Sequence, residues 1–152
     1  MPELPEVETI RRGLAGNLPG RTVAQARLLC PRILLFPGPS VFESELVGQT
    51  FRAPERHGKF LFLPLTRHTL LIHLGMTGQV TFRDPARPDT PFERLAVTGL
   101  QRAGQHPVDR HTHVVLDLED GTQVMYRDIR KFGKWRLYRP DELARAPELS
   151  RL

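Results

Sequence analysis

KFLFLPLTRHTLLIHLGMTGQVTFR, residues 59–83, decides the fold. Residues 59–65, 69–74 and 79–83 read as three successive strands, separated by short turn-forming pieces. Working upstream, 50–55 and 21–29 read as two further strands, the second preceded by a turn at Pro19-Gly20. Between them a Pro-rich crossing covers 31–39. Ser40 and Glu43 are spaced as a capping box, which predicts a short helix over 41–47 closed by Gly48. Downstream, 113–118 and 123–126 flank Glu119-Asp120-Gly121-Thr122, an Asp-Gly hairpin signal. Residues 128–133 read as a loop, 134–138 as a closing strand and 141–146 as a short helix. Many short strands framed by helices argue for an α+β β-sandwich.

Residues 84–110 break the rhythm. They are polar and Pro-punctuated, and loops beyond about 12–15 residues are uncommon unless functional. Within them, 92–100 is expected to form at most a short local element.

Composition narrows the class. A chain of 152 residues is one domain of ordinary size. Its 14 prolines favour loops and short elements. The net charge of +5 and a pI near 10.1 suit a polyanionic partner. The lone Cys30 excludes an internal disulfide and points to a reducing compartment. No apolar run approaches the roughly 18 residues of a membrane span, and the acidic start is unlike a signal peptide. A soluble, cytoplasmic monomer is the expectation.

The chain opens MPELPEVETIRRGL, residues 1–14. Removal of Met1 exposes the secondary amine of Pro2, and a free α-amino group titrates at roughly 7.7–8.0, well below a lysine. Such an amine can form an iminium with an electrophilic carbon. Glu3 lies beside it as a candidate proton-transfer carboxylate, and Glu6 follows three positions on. Pro5 suits a first helical position, acidic side chains suit the first turn, and Val7, Ile10 and Leu14 recur at helical spacing toward a core. On composition alone, Pro and Glu here are also ordinary helix-start chemistry.

Two more blocks stand out. His73-Leu74-Gly75-Met76-Thr77-Gly78 puts an unbranched, flexible Met between glycines after an apolar strand. Asp128-Ile129-Arg130-Lys131-Phe132-Gly133 puts an aromatic beside basic residues. Read alone, each is also compatible with a strand end and a buried Met or Phe. Lys59 reads equally as a solvated lysine, and His73 as a satisfied strand histidine. His111 and His113, with one distant cysteine, make a poor zinc set.

Taken together, MPELPEVE and these later blocks, in this order, resemble the bacterial formamidopyrimidine-DNA glycosylases, whose endonuclease VIII-type siblings usually carry Gly where this chain has Leu4. The resemblance spans the whole chain but only the family's N-terminal half. It implies a flattened antiparallel β-sandwich flanked by the N-terminal helix and a second short helix. It further implies a bifunctional glycosylase and AP lyase that removes 8-oxoguanine and formamidopyrimidine from double-stranded DNA, a bacterial, nucleoid-associated activity. In that scheme Pro2 is the nucleophile, Glu3 shuttles protons and Glu6 supports the amine. Lys59 and His73 contact phosphate, and Met76, Arg130 and Phe132 fill the void left by an extruded base, with Lys131 on the backbone. Family members more often carry Pro at the position of Ile129 and Arg at that of Lys131. The family's other half holds a helix–two-turn–helix region and a four-cysteine zinc finger, and one cysteine cannot build such a site. No cofactor is expected in this chain. The competing reading is a DNA-contacting or interaction module without turnover.

Overall fold

The structure, a computed structural model of the 152-residue chain, describes residues 4–86 and 108–147. Two sheets face each other. One runs in the order β1 (Val23–Leu28), β7 (Thr112–Leu118), β8 (Gln123–Asp128), β6 (Gly78–Arg83), with every neighbour antiparallel. The other runs β2 (Leu34–Phe36), β9 (Lys134–Tyr138), β5 (Thr69–His73), β4 (Phe60–Pro64), β3 (Glu55–His57). Its pairs are antiparallel except β2 with β9, which is parallel. The architecture is the expected α+β sandwich, with one parallel edge added.

Alternation along the strands builds the core. Leu61 and Leu63 of β4, Leu70 and Ile72 of β5 and Trp135 and Leu137 of β9 are all buried. They share one apolar cluster with Val114 and Leu116 of β7 and Val124 and Tyr126 of β8. Helix α1 (Leu4–Ala15) packs on β6, β3 and β4 and adds Val7, Ile10 and Leu14 to that cluster. Burying three such side chains contributes roughly 5–9 kcal/mol before ordering costs. Helix α2 (Pro39–Leu46) adds Phe42 and Leu46 against β1. A last short helix, α3 (Pro140–Ala144), follows β9, and the Arg139 amide donates to Glu142 Oε1 at 2.8 Å at its start.

Three expectations need correction. No Ser40–Glu43 capping box forms: Pro39 starts α2 early, Gly38 is the cap without a side-chain bond, and Glu43 instead accepts the Leu28 amide at 2.8 Å. The 50–55 segment is not a continuous strand. Its Phe51 amide donates to Arg21 at 2.9 Å and its Arg52 amide to Pro64 at 2.8 Å, so it crosses from one sheet to the other. Pro54, lacking an N–H, ends the crossing just before β3. The Pro-rich 31–39 stretch contains both a 3₁₀ turn at Pro31–Ile33 and the strand β2. The Asp-Gly turn is as read: Gly121 has φ 89° and Asp120 Oδ1 accepts the Thr122 amide at 3.1 Å. The long 84–110 stretch lies for the most part, and its 92–100 element entirely, outside the described residues.

Candidate nucleic-acid interface

The two blocks singled out above are 51 residues apart between Thr77 and Asp128, yet they form one unit. β5 ends at His73 and β6 begins at Gly78, so the intervening four residues must turn sharply, and the Gly78 amide closes the turn on Leu74 O at 2.8 Å. Gly75 has φ 64°, where a Cβ costs energy, and it abuts the other block directly. A Cβ there would lie 2.6 Å from Gly133 N and 2.8 Å from Phe132 C.

Asp128 organises the second block. It ends β8 with no exposed surface, and both carboxylate oxygens are occupied. Oδ1 accepts from Thr77 Oγ1 at 2.5 Å and from the Arg130 and Lys131 amides at 3.2 and 3.1 Å. Oδ2 accepts from Tyr126 OH at 2.6 Å and the Gly133 amide at 2.9 Å. Burial by itself raises the carboxyl pKa, but the donors from Thr77, Tyr126, Gly133 and Lys131 outweigh it and hold the group below the usual carboxylate range. Tyr126 is pushed far up by burial and by the same bond to Asp128. Beneath, buried His113 donates from Nε2 to the Asp128 carbonyl at 2.7 Å. That bond accounts for the placement of the His113 ring. The amides captured by Asp128 hold Lys131 at φ 59°, a left-handed conformation an L side chain rarely adopts.

The result is a rigid base with apolar tips. Met76 is 54% exposed, Phe132 54% and Ile129 53%, and the Arg130 guanidinium sits 5.0 Å over the Phe132 ring. Neither Met76 nor Phe132 is a core residue. Large apolar side chains displayed together from a braced platform mark an interaction surface.

Lys59 and His73 lie on the neighbouring sheet at the same end. β3 and β4 are joined by the two residues Gly58 and Lys59, with Gly58 at φ 60°, as a tight hairpin with glycine first requires. Phe60 pairs with His73, and His73 with Lys134. Lys134 Nζ donates to Lys131 O at 3.1 Å, which ties this row to the loop. His73 is half-buried, packs edge-to-face on Phe60 at 5.2 Å and accepts the Gly75 amide on Nδ1 at 3.3 Å. Burial, then the Arg136 and Lys59 charges, lower its pKa, so it is neutral near pH 7. A neutral ring with Nδ1 accepting leaves Nε2–H as donor.

Of the amino-terminal candidates, Pro2 and Glu3 lie outside the described residues. Glu6 is exposed in the first turn of α1. Glu8 anchors that helix: it takes Arg11 at 2.7 Å, Arg12 at 2.8 Å and Arg56 at 3.1 Å. The Arg11 bond, with those from Arg12 and Arg56, holds its carboxyl well below the usual range against the opposing effect of burial. Arg56 also donates to Gly58 O at 3.0 Å, so α1 and the Lys59 turn are braced through one guanidinium. Sequence reasoning missed this brace, and it missed Thr77, Tyr126 and the buried role of Asp128. An Asp heading a loop was the available signal, since Asp side chains capture nearby amides. A cavity of about 390 Å³ lined by Phe36, Val41, His68, Leu137 and Arg139 opens at the opposite end of β5 and β9 and contains none of the candidates.

Comparison with known proteins agrees with this fold. Formamidopyrimidine-DNA glycosylases of Geobacillus kaustophilus and Caulobacter are 40% and 42% identical over 100% and 97% of the chain, each over 49% of the relative. The chain thus spans about half the length of the curated relatives it matches. A Lactococcus lactis Fpg bound to abasic-site DNA superposes with a TM-score of 0.76 at 28% identity, covering 99% of this chain and 48% of that one. A second complex of that protein, with Fapy-dG DNA, gives 0.76 at 29% identity over 98% and 48%. Residues 1–135 match the model of the formamidopyrimidine-DNA glycosylase N-terminal domain, and the chain belongs to that family.

Proposed function

We propose that this chain is the catalytic half of a base-excision DNA glycosylase with AP lyase activity, acting on oxidised purines in double-stranded DNA. The observation that carries the reading is the joined platform, which presents Met76, Arg130 and Phe132 to solvent beside the Lys59–His73–Lys134 row. A base must leave the stack before it is excised, and apolar or planar side chains can fill the space it leaves. Arg130 offers a planar donor fork to the widowed base, while Lys59, Lys131 and the His73 Nε2–H suit backbone phosphates.

Chemistry falls to the amino terminus. The Pro2 nitrogen bonds to the sugar C1′ as the C1′–base bond breaks, and the base departs with a proton. Glu3 delivers a proton to the ring oxygen, opening the sugar and leaving an iminium. The iminium acidifies C2′; loss of that proton expels the 3′ phosphate, and a second elimination expels the 5′ phosphate. Glu6 supports the charge on the amine. The single cysteine cannot supply the zinc finger associated with this family, and no step above uses a metal. We place the protein as a monomer in a bacterial cytoplasm; the helix–two-turn–helix and zinc-finger region that the family resemblance implies for the rest of the DNA grip is not among these 152 residues.

Borohydride trapping on abasic-site duplex tests it. Wild type is expected to form a covalent crosslink that acetylation of the Pro2 nitrogen abolishes. Binding without any crosslink, at high protein and low salt, would replace this reading with a non-catalytic DNA-contacting module.

A further inference from the structure

The Met76 turn links β5 to β6 and the 128–133 loop links β8 to β9, each passing from one sheet to the other, and two such connections working a gap in DNA could act separately. The hydrogen bonds say otherwise. Thr77 sits immediately after Met76, and its hydroxyl both donates to Asp128 Oδ1 at 2.5 Å and accepts the Arg130 amide at 3.0 Å. One hydroxyl therefore joins the residue next to the exposed Met to the backbone of the exposed Arg. The same Oδ1 collects the Lys131 amide, and Oδ2 fixes Gly133 on the far side of Phe132. The Gly75 contact with Phe132 and Gly133 is steric and leaves sliding open, whereas the Thr77 bond is directional.

We infer that Asp128, bonded across to Thr77, is a positioning residue that makes Met76, Arg130 and Phe132 enter a base-sized gap as one rigid body. The inference deepens the proposed DNA reading and rests on it. If the tips are fixed relative to one another, misplacing one removes much of the benefit of the other, so their effects on gap binding do not multiply. Thr77 and Asp128 need touch no DNA for this. The two carboxylate oxygens separate the roles: Thr77 and the Arg130 and Lys131 amides lie on Oδ1, and Tyr126 lies with the Gly133 amide on Oδ2.

The test is a double-mutant cycle on the full 152-residue chain, read by affinity for a duplex containing a tetrahydrofuran abasic analogue. In the Thr77 background, Met76→Ala and Phe132→Ala together should lose about tenfold less affinity than the product of their separate losses. Thr77→Val should bring the cycle back to simple multiplication, and Thr77→Ser should restore the coupling. Tyr126→Phe controls for stability, because it should lower the melting temperature while leaving the coupling intact. Coupling that survives Thr77→Val, or that disappears equally in Tyr126→Phe, overturns the inference. A DNA-free arm keeps the two readings apart: Thr77→Val should speed hydrogen exchange at the Arg130 and Lys131 amides, and unchanged exchange overturns the coupling whatever DNA does. Wild type that does not prefer the gapped duplex over an intact one sinks the DNA reading instead.

Discussion

Replacing Asp128 by Asn keeps the shape of the side chain and removes its charge and one acceptor. Five donors converge on the carboxylate, three on Oδ1 and two on Oδ2. An amide pointing its oxygen at the loop turns an NH₂ toward Tyr126 OH and the Gly133 N–H. Tyr126 can rotate and accept, but the buried Gly133 amide then has no partner. An unsatisfied buried donor costs about 1–3 kcal/mol, and the lost charge assistance adds about one more, giving about 2–4 kcal/mol. For a domain of this size that is a fall in melting temperature of about 6–12 °C. The pH dependence has a fixed sign. The folded-state pKa lies below the ordinary 3.8, so the stabilisation is fully present above that value and is lost as pH falls toward the folded pKa. The gap between wild type and Asp128→Asn should be widest near neutrality and narrow in acid below the ordinary value. Thermal melts followed by circular dichroism across that range measure it. Equal melting temperatures at neutral pH, or a gap that widens in acid, would refute the assignment of Asp128 as an ionised hub.

Other substitutions probe the same platform. Gly75→Ala forces a Cβ into Gly133 N at 2.6 Å and a left-handed φ, so a loss of about 2–4 kcal/mol in denaturant melts is expected, with gap binding lost too. Lys131→Gly relieves the φ 59° strain and should raise stability by about 0.5–1 kcal/mol while weakening DNA binding; a lower melting temperature would contradict it. Lys59→Ala should weaken all duplexes alike and reduce the slope of log affinity against log salt by about one, as titration at several salt concentrations would show.

Legibility varied with the range of the interaction. Strands over 69–73, 78–83 and 134–138 were readable because an apolar strand flanked by turn residues is a local property, and so was the Asp120-Gly121 turn. Ser40 and Glu43 misled because a capping box is also only a spacing. The carboxylate had a better offer in the Leu28 amide, which belongs to an element 15 residues away. Met76 and Phe132 were ambiguous between core and surface for the same reason: burial depends on what the fold brings overhead.

By itself, the sequence determined the residue types of the site, the strand and turn positions, the basic balance and, through its ordered blocks, the family. Only the tertiary structure decided that β2 lies parallel to β9, that Arg56 braces α1 to the Lys59 turn, and that Thr77 and Asp128 weld two distant turns into one base. Those are hydrogen bonds between groups far apart in the chain. Their partners are chosen by packing of the two sheets, which no local pattern of side chains encodes.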